Sequence, residues 1–216
     1  MGQVARGGDD GLGEAVLRAQ GGDEQAFDAV YRMVQPGLLG FLRGLVGDEA
    51  EDVAGDAWLE IARDLPRFRG DGAGFRGWTA VIARNRALDL LRRRKARPQP
   101  SAYDSDLLEL PGTYDTSAEA MEVVSTEQTL TLIAELPRDQ AEAVLLRVVI
   151  GLDAPSVARV LGKRQGAVRM AAHRGLKRLA GRLAVRGVPE GASTTLEERG
   201  VETVGKPVSR TAGDAR

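Results

Sequence analysis

The side chains best equipped for chemistry in this sequence are cations, and they gather in two places. Residues 75–97 hold eight bases against one acid and close on "RRRKAR". Residues 163–177, "KRQGAVRMAAHRGLK", supply Lys163, Arg164, Gln165, Arg169, Met170, His173, Arg174 and Lys177. Cations at this density neutralise phosphates, and each neutralised phosphate releases condensed counterions. In the second cluster Arg matches the acceptor edge of guanine and Gln the edge of adenine, so a helix turning these groups outward suits the major groove. Its first backbone amides can also meet a phosphate. His173 taken alone reads as an ordinary surface histidine. Just ahead of the first cluster, "RGDGAGFRGW" sets Arg69, Phe75, Arg76 and Trp78 among glycines. Aromatic faces beside Arg planes grip unstacked bases of single-stranded nucleic acid, although Phe75 and Trp78 are each equally consistent with a place in a core.

Other chemistries are excluded by what is missing. Among the 216 residues there is no cysteine, and His173 is the single histidine. Thiol nucleophiles, disulfides and Cys/His zinc sites are therefore ruled out, and no carboxylates are spaced for a metal. The expectation is a non-enzyme with no cofactor, no metal and no small-molecule substrate. The formal net charge of −1 conceals strong segregation. Residues 48–64 carry seven acids and one base; residues 98–136 carry eight acids and no Lys or Arg; residues 137–187 carry eleven bases and three acids. Basic modules separated by an acidic spacer point to a polyanionic partner. The acidic run "DEAEDVAGDAWLEIARDL" includes Asp52, Val53, Asp56, Trp58 and Leu59, and reads either as a solvated face or as a docking face for a basic protein surface.

Helices must hold these groups in place. Phe27, Val30, Tyr31, Val34, Leu38, Phe41, Leu42 and Leu45 recur at helical spacing behind a capping Asp23, with Pro36 expected to kink or restart the helix. A second helix spans about 50–65 and ends at Pro66, a Gly-rich loop follows, and a third runs from near Arg76 to Pro98. On that third helix Trp78, Val81, Ile82, Asn85 and Leu88 share one face, which is buried apart from Asn85, while Arg84, Arg86, Arg93, Arg94 and Lys95 project elsewhere. Prolines and acids mark 98–135 as a linker, led out by a short helix near 119–135. Further on, a helix over about 138–149 closes at Gly151, a short one is capped by Asp153 and ended by Gly162, and a longer one follows. That is a helix-turn-helix layout, with Leu152, Val157, Val160, Leu161, Val168, Leu176 and Leu179 as its small core. The fold class expected is all-α: two small helical domains at 22–97 and 136–187, a flexible N-terminus at 1–21, a flexible acidic linker at 98–135, and a disordered tail at 188–216.

Taken together, "GDEQAFDAVYRM", "DEAEDVAGDAWLEIARDLPRFRGD", "FRGWTAVIARNRALDLLRRR" and "LPRDQAEAVLLRVVIGLDAPSVARVLGKRQGAVRMAAHRGLKRL" resemble, in order and spacing, the extracytoplasmic-function sigma factors of the bacterial sigma-70 superfamily. The resemblance implies that 22–97 is sigma region 2 and 136–187 sigma region 4. It also implies that Asp52, Val53, Asp56, Trp58 and Leu59 dock on the β′ clamp coiled coil of core RNA polymerase, with the β flap as a second contact. Arg69, Phe75, Arg76, Trp78, Arg84 and Asn85 would capture and melt the −10 element, with Arg92, Arg93 and Arg94 on nearby phosphates. Lys163, Arg164, Gln165, Arg169, Met170, His173, Arg174 and Lys177 would read the −35 element. An anti-sigma factor is the further partner implied. Gly55 and Ala57 depart from the polar run usual in the family's clamp-binding helix, and "DAPS" from its usual acidic start of the helix-turn-helix.

A two-domain helix-turn-helix regulator acting without replacing a sigma factor is the alternative reading, and a nuclease is a weaker one, lacking clustered metal-binding carboxylates. No run approaches the roughly 20 apolar residues of a membrane span, so a cytoplasmic protein without membrane insertion is expected.

Overall fold

The computed structural model describes residues 2–96 and 128–185. Most of the expected linker and the whole expected tail lie outside the described residues. Those described are helical, without a strand among them. The N-terminal module comprises α1 (Gly2–Gln20), α2 (Glu24–Val46), α3 (Ala50–Asp64) and α4 (Gly72–Ala96). The C-terminal module comprises α5 (128–134), α6 (Arg138–Val144) continuing into a π-helical turn (Leu145–Val149), α7 (Ala154–Leu161) and α8 (Gln165–Val185).

Two expectations about boundaries are corrected. The N-terminus expected to be flexible over 1–21 instead holds α1 at Gly2–Gln20, which buries Leu12, Val16 and Ala19 on α2 and α4. These three residues, spaced by four and three, form a narrow apolar stripe that is easily overlooked beside the glycines and aspartates around it. The linker expected to run to residue 135 likewise stops short, because α5 buries Leu130, Leu132 and Ile133.

Local chemistry sets the helix ends. Asp23 caps α2 by accepting from the Ala26 amide at 3.0 Å, and Asp153 caps α7 by accepting from the Ser156 amide at 2.8 Å. Gly162 ends α7 with φ +62°, the left-handed conformation a helix C-terminus favours. α2 runs unbroken through Pro36. The proline sits on the exposed side, where water can satisfy the carbonyl one turn back that loses its intrahelical partner. α4 begins at Gly72, four residues earlier than its apolar pattern implies. The Asp71 side chain accepts from the Gly74 amide at 2.7 Å and starts the helix there.

The two modules share one continuous apolar core. In the first it centres on Val30, Leu38, Phe41, Leu42, Ile61 and Phe75, and in the second on Val144, Leu145, Leu146 and Val157. The join is made by α2, whose glycines at 37, 40 and 44 face the π-helical turn. A Cβ at Gly40 would lie 2.9 Å from the Val149 side chain, and one at Gly44 2.7 Å from Leu145. A side chain at Gly40 or Gly44 would oblige Val149 or Leu145 to move aside.

Candidate nucleic-acid interface

The second basic cluster forms the simpler surface. α7 and α8 pack as a helix-turn-helix over buried Leu152, Val157, Val160, Leu161, Val168 and Leu179, with Leu176 half-buried. That arrangement turns Arg169, Met170, His173, Arg174 and Lys177 outward at spacings of three and four, all exposed. Lys163 and Arg164 are exposed just ahead of the helix, and Gln165 at its first position is half-buried. The opposite side of α8 is anchored to the rest of the module by buried Val168, Ala172 and Leu179, and two arginines tie its flank. Arg178 donates to the Gln140 side chain at 3.0 Å, and Arg182 pairs with Glu135 at 2.8 Å.

The first cluster is more constrained than its sequence implies. Phe75 is fully buried. Its ring lies edge-on to Phe68 with centroids 5.2 Å apart, and Trp78 joins them at 5.2 and 5.5 Å. Phe75 is therefore a core residue and cannot stack on a base, whereas Trp78 is only half-buried. Arg76 pairs with Asp9 of α1 at 2.9 Å and is likewise occupied. Arg84 reaches across to the second module, where its Nη2 meets Glu142 Oε2 at 3.0 Å. Exposed groups remain at Arg69 and Asn85, with Trp78 half-exposed one face-length from Asn85. The Arg69 guanidinium donates to the Pro66 and Phe68 carbonyls of its own loop, at 2.9 and 2.7 Å.

The helix face drawn from large apolar residues is also corrected. α4 buries Phe75, Thr79, Ala80, Ile82, Ala83 and Ala87, leaving Trp78, Val81 and Leu88 half-buried and Asn85 exposed. Small Ala80, Ala83 and Ala87 thus make up half of the buried side chains on a face that bulk alone does not mark. Beyond this face Arg92, Arg93 and Arg94 are exposed. They carry light tethers to Asp89 at 2.8 Å, the Asp89 carbonyl at 3.3 Å, and Glu49 respectively. Exposed pairs of this kind are worth at most about 1 kcal/mol and yield readily to phosphates.

α3 divides the acidic run into two faces. Val53 and Trp58 point inward; Trp58 is 7% exposed, donates its indole N–H to Gln35 Oε1 at 2.6 Å, and packs against Phe27 and Tyr31. Neither is available to a docking partner, which corrects their expected role. Asp52, Asp56 and Leu59 are exposed on the other face, and Leu59, at 74%, is the most exposed large apolar residue described.

Sequence reasoning missed the residues that hold these surfaces: Glu142, buried beside Arg84 and Arg138; Glu60, which accepts from Arg86 at 2.8 Å; and Gln20, which binds the loop carrying Arg69. The sequence did hold a signal for the join between modules. Three glycines inside the strongly apolar α2 each disfavour a helix by up to about 1 kcal/mol and call for a packing reason. Among the described residues no three His, Asp or Glu side chains are grouped to hold a metal, and no helix is long and apolar enough to cross a membrane.

An N-terminal helical module followed by a helix-turn-helix defines the class, and comparison with known families agrees. Residues 30–97 match sigma-70 region 2, and residues 126–179 match sigma-70 region 4. The chain belongs to the extracytoplasmic-function sigma factors. It is 35% identical over 179 residues to the ECF RNA polymerase sigma factor ShbA of Streptomyces griseus, covering 78% of this chain and 93% of that protein. It is 34% identical to the ECF RNA polymerase sigma factor SigD of Mycobacterium tuberculosis, covering 78% and 82%. The fold is shared with the sigma factor RpoE of Bartonella quintana, solved with the anti-sigma factor NepR, at TM-score 0.55 and 22% identity over 74% of this chain and 97% of that one. It is shared as well with CnrH, solved with the cytosolic domain of CnrY, at TM-score 0.54 and 21% identity over 82% and 99%. The protein is a sigma factor of transcription initiation.

Proposed function

We propose that this sigma factor joins core RNA polymerase through the outward face of α3, with Asp52 and Asp56 meeting basic groups and Leu59 inserting as the apolar anchor. α8 then reads duplex DNA at the −35 element through Arg169, Met170, His173, Arg174 and Lys177. The loop between α3 and α4, with Arg69, takes up the −10 element together with Trp78 and Asn85, and Arg92, Arg93 and Arg94 hold the adjacent phosphates. The protein itself catalyses nothing; bond formation belongs to the polymerase. It works in the cytoplasm, without membrane insertion, and is held inactive by an anti-sigma factor; the similar sigma factor RpoE was solved in complex with one.

The observation that carries this reading is the continuous exposed row of Arg169, Met170, His173, Arg174 and Lys177 on a helix anchored by its opposite side. Such a row would serve both electrostatic steering toward the polyanion and base readout. Engagement of the −10 element by Arg84 requires its release from Glu142.

Run-off transcription tests the reading. Purified protein added to core RNA polymerase should start transcripts at a small set of promoters, and R92E/R93E/R94E should weaken opening while core binding persists. Tight duplex binding with no effect on core polymerase would support the helix-turn-helix regulator instead.

A further inference from the structure

The segment from Leu65 to Gly72 carries Arg69, and α1 touches it at both ends. At its entry the Gln20 side-chain amide donates to the Leu65 and Phe68 carbonyls, each at 2.8 Å, in a half-buried setting. At its exit α1 lies against the first residue of α4, with no room for a side chain. A Cβ on Gly72 would stand 1.9 Å from the Asp9 carbonyl oxygen, and one on Gly13 would stand 3.3 Å from the Gly72 amide. One turn into α4, Arg76 pairs with the Asp9 carboxylate at 2.9 Å. Asp9, Gly13 and Gln20 are spaced by four and seven, so they lie on one stripe of α1 covering about 16 Å of its length. The same stripe includes Val16, buried in the core, and so cannot shift independently of the module.

We infer that α1 is a splint for the loop that takes up the −10 element, with Gln20 as the positioning residue at the entry and Asp9 at the exit. Gln20 satisfies two carbonyls that would otherwise turn to water, and one of them, on Phe68, also accepts from Arg69. The direction of the Arg69 side chain thus depends on a carbonyl that α1 fixes. The residues involved at 9, 13 and 20 precede the region 2 match, which begins at residue 30. Gln20 and Asp9 touch no DNA in this scheme; they narrow the set of positions from which Arg69 and Trp78 meet a base, and a looser loop accepts more sequences.

The inference rests on the proposed role of the loop, and its test separates the two. Full-length protein is assembled with core RNA polymerase on promoter DNA that the wild-type holoenzyme has selected from a duplex pool randomised at both elements. Permanganate reactivity then gives the opening rate on the selected promoter and on versions with single −10 substitutions. Gln20→Ala should reduce discrimination between the two about tenfold with core affinity and binding to the −35 duplex unchanged. Gln20→Lys, which restores donors of similar reach, should recover part of it. A purely structural role would instead lower the melting temperature and reduce opening equally on all promoters, which would overturn the inference. So would wild-type discrimination in Gln20→Ala alongside a loss in Arg69→Ala. If Arg69→Ala itself leaves discrimination intact, the role of the loop fails first, and the inference with it.

Discussion

Glu142 is 3% exposed and accepts from two arginines: Arg84 across the module boundary at 3.0 Å, and Arg138 of its own helix at 3.1 Å. Arg84→Ala removes the interdomain partner and leaves a buried carboxylate with Arg138, whose side chain is half-exposed. Removing one member of a fully buried pair costs about 3–5 kcal/mol. Because Arg138 remains and Arg84 is itself 20% exposed, about 2 kcal/mol is the appropriate figure here. Neither module loses core packing, so the loss falls on their association and shifts the closed-to-open ratio about 30-fold toward open. The chain has no cysteine, so Gly55→Cys and Gly166→Cys, both exposed with open space around them, accept a fluorophore pair without competing thiols. In a urea titration, energy transfer in Arg84→Ala should vanish at lower denaturant than in the parent and well before the helical signal. Gly40→Leu, which drives a side chain into Val149 while favouring helix, should do the same without touching the ion pair. Arg84→Ala/Glu142→Gln should recover much of the loss, since no buried charge is left without its interdomain partner. If energy transfer and helicity are lost together, at an unmoved midpoint in both single variants, the join between modules is not held by these contacts.

Leu59→Ala should change thermal stability by less than about 0.5 kcal/mol, as expected of an exposed site, yet weaken core polymerase binding about tenfold in a fluorescence titration. Arg169→Ala should cost about 1–3 kcal/mol on the −35 duplex and relax specificity at one base pair. Lys177→Ala should weaken all duplexes alike and lower the salt dependence by about one phosphate contact. Burial acts to raise the Asp153 carboxyl, but hydrogen bonds from Ser156 outweigh it and hold the group below the usual carboxylate range. Its contribution is therefore complete above the unfolded value and lost as pH falls through the lower folded one. Asp153→Ala should cost about 1 kcal/mol at pH 7, a difference that shrinks below about pH 4 in calorimetric scans.

What could be read from the sequence followed from local rules. The caps at Asp23 and Asp153, the left-handed Gly162 and the helix-turn-helix core are set by residues within a few positions of one another, and they stand in the structure as expected. The exposed row on α8 follows from the same periodicity. Long-range partners were not legible. Nothing near Arg84 or Arg76 in the sequence discloses that Glu142 and Asp9 occupy them, 58 and 67 residues away. Trp58 and Phe75 were read as candidates for contact because aromatics near charges look functional, but each packs against other rings in a helical core. The face of α4 was drawn by hydrophobic bulk, while Ala80, Ala83 and Ala87 make up half of its buried side chains.

The splint also fixes an order of events during synthesis. α1 contains five glycines, at 2, 7, 8, 11 and 13, each about 1 kcal/mol worse than alanine in a helix, so it has little cause to form alone. Its partner Arg76 lies 67 residues downstream of Asp9, on the order of 3 to 13 s of translation. For that interval Leu12, Val16 and Ala19 lack α4 as a cover and rest on α2 alone. α1 therefore settles fully only once α4 has been made.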